Sequence, residues 1–412
     1  MSNPRQISRR AILQGAAAAL PLLAAGTGFT TTSLAEEEKP ASGSPRKIKL
    51  GVVGNGGRGS WIAGLFQQHG GYELHAVADY FPEVVDQCGN ALGVDKSRRF
   101  SGLSGYKKVI ASGVEAIAII TPPYFINEIA AAAAEAGLHI YMAKPVAIDV
   151  HGCMSIEASS KRSTHNNRVF LVDYQISTDP NNLQVFQALR DGKAGKLARM
   201  MTVGISGGRS DPPRTANIES RLQHLIWDND IEIGGGLIVS YDIHAIDAAV
   251  WLTGKRPVAA MGCSQIARPN PNSDGCDVYS VVYEYADGLI HEHFSQHLPN
   301  HTQEELSCKI YSYNSRAFVD YWKDALFQVR GEKPLGGPVT NLYDDGAKRN
   351  IAAFHQAILK ENYENGITQR AIDGTLTAIL GREAAARRGR FTMDELLKEN
   401  KRIALDLTGL KA

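Results

Sequence analysis

The stretch that decides the fold is KIKLGVVGNGGRGS, Lys47–Ser60. A short apolar run ends in Gly54-x-Gly56-x-x-Gly59, and the residues that follow, SWIAGLFQQH, carry helical spacing. Glycine supplies 40 of the 412 residues, so the spacing alone says little. The strand before it and the helix after it give it meaning. In that setting the first glycine permits a tight turn, the second lets backbone approach a pyrophosphate, and the third lets helix and strand pack closely. The helix then points its N-terminal amides at the phosphates. The loop residues Gly54, Asn55, Gly56, Gly57, Arg58 and Gly59 are therefore expected to bind a dinucleotide. Asp79 stands twenty residues after Gly59, at the end of ELHAVAD. A carboxylate there accepts hydrogen bonds from ribose hydroxyls and repels a 2′-phosphate, so NAD is expected rather than NADP, with Arg58 close enough to work against that preference.

Outward from the loop, the apolar runs IKLGVV, ELHAVAD, EAIAIIT, LHIYMA and VFLVD alternate with helical stretches as far as Asp173. Continuous apolar strands between amphipathic helices indicate a parallel sheet covered on both faces, a doubly wound Rossmann α/β domain over residues 47–173. Beyond it the pattern changes. A helix is expected over DPNNLQVFQALRDGKAG, a strand over LARMMTVGISGG, then a polar insertion and a helix over SYDIHAIDAAVWLTG that stops at Gly254. Strand-like runs follow, with Asp287-Gly288 as a hairpin turn, and the tail from Asp344 is helical. Residues 174–412 thus read as an α+β domain with an open, mostly antiparallel sheet.

The N-terminus reads differently. SRRAILQGAAAALPLLAAG (Ser8–Gly26), followed by SLAE, has two adjacent arginines, a short apolar run and small residues, the form of a twin-arginine export signal over residues 1–35. A charged, Pro- and Ser-rich linker spans 36–46. The expected location is periplasmic or extracytoplasmic. After the signal the chain has 41 basic and 43 acidic residues, which argues against nucleic acid or an anionic membrane as partner. No later apolar run approaches the ~20 residues of a membrane span, so a soluble mature chain is expected. The five cysteines (Cys88, Cys153, Cys263, Cys276, Cys308) show no CxxC or zinc spacing and an odd count, so the fold is not expected to depend on disulfides.

LHIYMAKPVAID places Lys144 at the C-terminal end of an apolar strand, the edge where open α/β sheets bind ligands. Near a nicotinamide, an ammonium there hydrogen-bonds the reacting hydroxyl and favours its deprotonation, given a lowered pKa. Here the chain resembles the Gfo/Idh/MocA family, named for glucose-fructose oxidoreductase, inositol dehydrogenase and a rhizopine-catabolism protein. The similarity runs through the glycine loop with Asp79, IITPPYFINEIAAAAAEAGLHIYMAKP, DYQISTDP, IGGGLIVSYDIHAIDAAVWLTG, YEYADG and ILGREAAARRGRFTMDEL. The resemblance implies a Rossmann domain, a C-terminal α+β domain whose open sheet often serves a dimer or tetramer, and sugar or polyol chemistry on a nicotinamide cofactor.

Carried over residue by residue, the resemblance makes Lys144 and His244 the catalytic pair, with Asp247 the last acid of the His244 segment. It sets Thr121, Pro122 and Pro123 beside the cofactor, and Gln175, Trp227, Ser240, Tyr241 and His244 around the substrate. Two positions depart from the pattern: Ala143 replaces the usual Glu before the lysine, and Ser240 the Asp four residues before His244. On one continuous helix Ser240 and His244 share a face while Asp242 points away, unless the helix starts only after Asp242. Proton transfer then falls to His244, whose ordinary pKa suits it, with Lys144 assisting. Arg209, Arg214 and Arg221 in the polar insertion are expected to shape the pocket. His291, His293, His297 and His301 alternate so as to share one strand face, read mainly as a sheet or interface face; no metal site is expected, because no acid or Cys accompanies them at known spacing. Three readings follow: a sugar or polyol oxidoreductase with tightly bound, self-recycled NAD; a glycoside hydrolase working by transient oxidation and elimination; and a non-catalytic sugar binder.

Overall fold

The computed structural model describes residues 46–412, so the stretches read as an export signal and linker, up to residue 45, lie outside the described residues. Alternating apolar runs and helices produce a parallel sheet of β1 (Ile48–Val53), β2 (Tyr72–Asp79), β3 (Arg99–Ser101), β4 (Ala116–Ile119), β5 (His139–Ala143) and β6 (Phe170–Asp173). The strand order is β3-β2-β1-β4-β5-β6. The connecting helices are α1 (Gly57–His69), α2 (Pro82–Leu92), α3 (Gly105–Ala111), α4 (Pro123–Glu135) and α5 (Val150–His165). Strands β4 and β6 are buried at every position because helices cover both faces. β3, with three residues and no apolar run, was not separable from loop in the sequence. Connections leave β1 and β4 in opposite directions, which opens a crevice beyond their C-terminal ends.

The second sheet has nine strands: β7 (Leu197–Ser206), β8 (Ala259–Gln265), β9 (Val278–Glu284), β10 (Ile290–His297), β11 (Glu305–Ser312), β12 (Ser315–Asp320), β13 (Asp324–Val329), β14 (Leu335–Pro338) and β15 (Phe391–Thr392). Its order is β14-β13-β12-β11-β7-β10-β9-β8-β15, antiparallel throughout except for the parallel pair β7/β10. The Asp287-Gly288 turn joins β9 to β10, with Gly288 at φ +84°. The remaining helices are α6 (Pro180–Arg190), α7 (Ile231–Gly234), α8 (Leu237–Ser240), α9 (Ile243–Thr253), α10 (Leu342–Leu359), α11 (Ile367–Arg387) and α12 (Met393–Glu399). α9 and α11 cover one face of this sheet. α10 returns to the first layer, where Ala347, Ile351 and Phe354 join Phe66, Tyr72 and Tyr141 in one core cluster.

One expectation is corrected here. The helix anticipated through Ser240 and His244 is two helices, α8 ending at Ser240 and α9 beginning at Ile243. Asp242 occupies the N-cap of α9 without capping it, because its side chain is drawn into the sheet instead. No single helix among the described residues is long and apolar enough to cross a membrane. All five cysteines are free, three of them buried.

Candidate active site

The glycine loop lies at the mouth of the crevice, and contact geometry accounts for each glycine. Gly54 has φ +86°, and a Cβ there would come within 2.4 Å of the Ile120 carbonyl oxygen, so only glycine lets the end of β1 pass beside the β4 loop. A Cβ on Gly59 would sit 1.8 Å from the Gly54 oxygen, so its absence lets α1 close on β1. Gly56 and Gly57 face open space. That space adjoins the first turn of α1, whose amides lack helical acceptors and favour an anion. The buried polar atoms around it fit a dinucleotide as well: both side-chain atoms of Asn55 and Oγ1 of Thr121 have no partner within the chain. Pro122 and Pro123 open α4 beside them, proline being preorganised for a first turn.

Asp79 accepts hydrogen bonds from the amides of Asn55 (2.6 Å) and Phe81 (3.1 Å), fastening the loop. Burial pushes its carboxyl above the ordinary range, opposed by those amides. Arg58 points away from Asp79. Its guanidinium donates to Asp173 Oδ2 at 2.6 Å and lies beside the stacked rings of Trp61 and Tyr343. Although burial disfavours its charge, Asp173 raises its pKa.

Lys144, at the end of β5, donates from Nζ to the Ser240 carbonyl at 2.6 Å. Burial, then the charges of Arg58 and Arg209, push its pKa down to about 8, opposed by Asp228 and Asp173. His244 is buried, with Nδ1 unpartnered and its ring 5.0 Å from that of Tyr321. Burial and the charges of Lys144 and Arg58 hold it well below the ordinary histidine range, so it is a neutral imidazole at neutral pH. The Ser240 hydroxyl is likewise buried and unpartnered. One potential proton acceptor, the His244 imidazole, and the free Ser240 hydroxyl thus meet around one ammonium. Burial raises the Tyr241 phenol, making it a donor rather than a base.

Gln175 is fully buried, receiving the Tyr321 hydroxyl at 3.0 Å and leaning on Asp173, so it supports the wall through Tyr321. Trp227 packs in a satellite cluster with Tyr124, Phe125 and the tail residues Leu405, Leu407 and Leu410. Asp247 is held by both arms of Arg370, at 2.7 and 2.6 Å. Of the three arginines in the insertion, only Arg209 reaches the site, its guanidinium 5.3 Å from the Tyr241 ring. Arg221, fully buried, joins Asp211 and Asp230 at 2.8 Å each, and Arg214 joins Asp230 and Glu232, so these two lock the insertion.

The histidines do not all share a face. His291, His293 and His297 point inward from β10, while His301 lies past the strand and is exposed. Asp242 Oδ2 is hydrogen-bonded to His293 Nε2 at 3.2 Å, and its other oxygen lies 3.0 Å from His297 Nε2 as an ion-pair contact. Burial works against its charge, but the two imidazoles overcome it and hold the carboxyl at about 2. Thr202 bridges His293 to His291, and Ser206 meets His297 Nδ1 at 2.7 Å. Gly204 makes the room: a Cβ there would lie 1.9 Å from Asp242 Oδ1.

The sequence reading missed Asp173, Asp228 and Tyr321. Asp173 ends an apolar strand on the same edge as Lys144 and was findable by that rule. Asp228 sits in a single 3-10 turn, Ile226–Asn229, and Tyr321 in a bend, and neither carries a periodic signal.

Comparison with known proteins agrees with this geometry. Residues 48–171 match the model described as "Oxidoreductase family, NAD-binding Rossmann fold", and residues 183–313 match the "GFO/IDH/MocA C-terminal domain". Inositol 2-dehydrogenase of Rhizobium meliloti is 25% identical over 246 residues, 58% of this chain and 66% of that protein. A glycosyl hydrolase family 109 protein of Shewanella pealeana is 27% identical over 155 residues, 36% of this chain and 33% of that protein. The chain thus spans from a third to just under two thirds of these relatives' length. The solved aldose-aldose oxidoreductase from Caulobacter crescentus, complexed with glycerol, superposes with a TM-score of 0.67 at 19% identity, covering 84% of this chain and 100% of that one. With both of its halves matched in order, the chain belongs to the Gfo/Idh/MocA family of oxidoreductases.

Proposed function

We propose that this protein oxidises and reduces a hydroxyl-bearing carbon of a sugar or polyol, using an NAD that it holds tightly. The observation that carries the reading is the Lys144–Ser240–His244 cluster, set at the C-terminal edge of the sheet that also bears the glycine loop. The dinucleotide, when bound, supplies the hydride acceptor and donor. His244 takes the proton of the reacting hydroxyl, for which a neutral imidazole with a free Nδ1 is suited. Lys144 donates a hydrogen bond to the same oxygen and favours its deprotonation. Asp79 and the commitment of Arg58 to Asp173 favour NAD over NADP, since among the described residues no cation pairs with Asp79.

Export through the twin-arginine route fits a cofactor bound before departure. Beyond the cytoplasmic membrane no free NAD pool recharges it, so cycles that return the hydride are favoured: paired oxidation and reduction of two sugars, as the name of the Caulobacter protein describes for that enzyme. The second reading, hydrolysis by transient oxidation and elimination, draws on the similarity to the family 109 protein. The outer face of the second sheet exposes Met261, Val282, Ile290 and Phe294, which supports a homo-oligomer through that face.

Mass spectrometry and absorbance of the denatured protein test the core claim: close to one NAD(H) per chain is expected. A chain that carries none and binds none when NAD is added refutes it. Steady NADH formation with an added polyol separates the dehydrogenase from the hydrolase, which instead releases nitrophenol from a nitrophenyl glycoside without net NADH.

A further inference from the structure

Position 240 carries a serine, and the carboxylate two residues on is unavailable, because Asp242 is buried between His293 and His297. Two further acids near the site are also committed. Asp173 is taken by Arg58 and by Asn350 (2.8 Å), and Asp247 by both arms of Arg370. Asp228 differs. Its Oδ2 accepts a single hydrogen bond, from Arg209 Nε at 3.0 Å, while Oδ1 accepts none among the described residues and is not sealed from solvent. The side chain is 7% exposed and Arg209 19%, so the pair is a wall element and not a surface bridge. Arg209 lies 5.3 Å from the ring of Tyr241, the neighbour of the residue whose carbonyl receives Lys144. The buried Asp211–Arg221–Asp230 pairs hold the insertion rigid behind it.

We infer that Asp228, steadied by Arg209, supplies the substrate-binding carboxylate that position 240 lacks, and that the pair recognises two adjacent hydroxyls of a neutral polyhydroxy ring. The assignment rests on the sugar-oxidoreductase reading and names its substrate class. One hydroxyl donates to Asp228 Oδ1; its neighbour accepts from the Arg209 guanidinium, which still has an uncommitted Nη2. A donor and an acceptor fixed side by side suit a vicinal diol better than a lone alcohol or an anionic sugar. The charge of Asp228 also reaches Lys144 and Tyr241, consistent with its facing the same space. Glu304, whose charge also reaches Tyr241, is exposed and forms no part of this wall.

The test uses the full chain with its retained NAD, titrated calorimetrically and assayed with myo-inositol, D-glucose and D-xylose. Asp228→Asn is expected to weaken binding and raise KM about tenfold or more, with NAD(H) per chain unchanged. Asp228→Ser, smaller and neutral, serves if the first variant fails to fold, with retained NAD(H) as the check. The decisive variant is the double Asp228→Asn, Ser240→Asp: restoring a carboxylate at position 240 is expected to recover a large part of the lost affinity, which a merely structural role for Asp228 does not allow. Wild type and Asp228→Asn binding and turning over the ring polyols alike overturns the assignment and leaves the oxidoreductase reading intact; so does a double variant no better than the single. A wild type that holds NAD but neither binds nor oxidises any of these polyols overturns both.

Discussion

Replacing Lys144 by methionine should abolish turnover and yet make the protein more stable near neutral pH. An ordinary lysine titrates at 10.5, whereas burial, then the neighbouring Arg58, pushes Lys144 down to about 8. The folded chain therefore gives up this proton more readily than the unfolded chain. Below about pH 8 both states hold the proton, and the fold carries the full cost of a poorly solvated charge. Between about 8 and 10.5 the unfolded state binds more protons, so stability rises with pH; above 10.5 the cost is gone. At about 1.4 kcal/mol per pH unit, that cost near neutrality is roughly 3 kcal/mol. Methionine keeps most of the stem's volume but loses the 2.6 Å hydrogen bond to the Ser240 carbonyl, which offsets about 1–2 kcal/mol. Lys144→Met is thus expected to gain about 1–2 kcal/mol at pH 7, seen as a higher urea midpoint with unchanged slope. The gain should vanish or reverse at pH 10.5. A variant less stable than wild type at pH 7, or a gain that does not depend on pH, refutes the reasoning, because either means that Lys144 is not a destabilised cation.

Other substitutions probe separate parts of the site. Gly56→Val adds a side chain where nothing lies within 4 Å, at a backbone φ of −60° that any residue adopts; stability should move by no more than about 0.5 kcal/mol while retained NAD(H) falls sharply, and a variant that still purifies with cofactor removes this loop from the binding site. Gly59→Ala, by contrast, should unfold or strongly destabilise the chain, since its Cβ meets the Gly54 oxygen at 1.8 Å. Gly204→Ala drives a methyl into Asp242 and should cost on the order of 2–4 kcal/mol in denaturant unfolding; a neutral result shows that the histidine cluster does not hold Asp242 in place. His244→Asn removes a neutral ring, so no unpaired charge remains, and kcat/KM should fall about 100-fold or more with NAD(H) content unchanged.

What could be read in advance follows from where the signal is local. The glycine loop, the apolar strands and the position of Lys144 on the ligand edge depend on residues adjacent in the chain, and the two sheets appear with the expected parallel and mostly antiparallel pairing. β3 and β14 are short and partly exposed and carry no period to read, and β13 alternates only through Ala325 and Phe327. Side-chain direction was the harder matter. Arg58 follows the loop in sequence, yet its guanidinium is captured by Asp173, 115 residues away. The histidines of β10 alternate as a strand requires, but nothing in the alternation says which carboxylate they face.

That last point bears on how the site is built. Two residues of spacing separate an acid at 240 from an acid at 242, and a helix running through both would have turned Asp242 away from the cleft by geometry alone. The chain instead breaks the helix between Ser240 and Ile243, and the break is sustained from the sheet: Gly204 leaves the space, and His293 and His297 bind the carboxylate that fills it. The same break turns the Ser240 carbonyl toward Lys144 and starts α9 with His244 one residue inside its end. Asp242 therefore serves as an anchor below the site, not as a reactant in it. With that carboxylate spent on position, the polar insertion becomes the remaining source of one. Its buried arginine and aspartate pairs make it rigid enough to hold Asp228 where substrate hydroxyls pass.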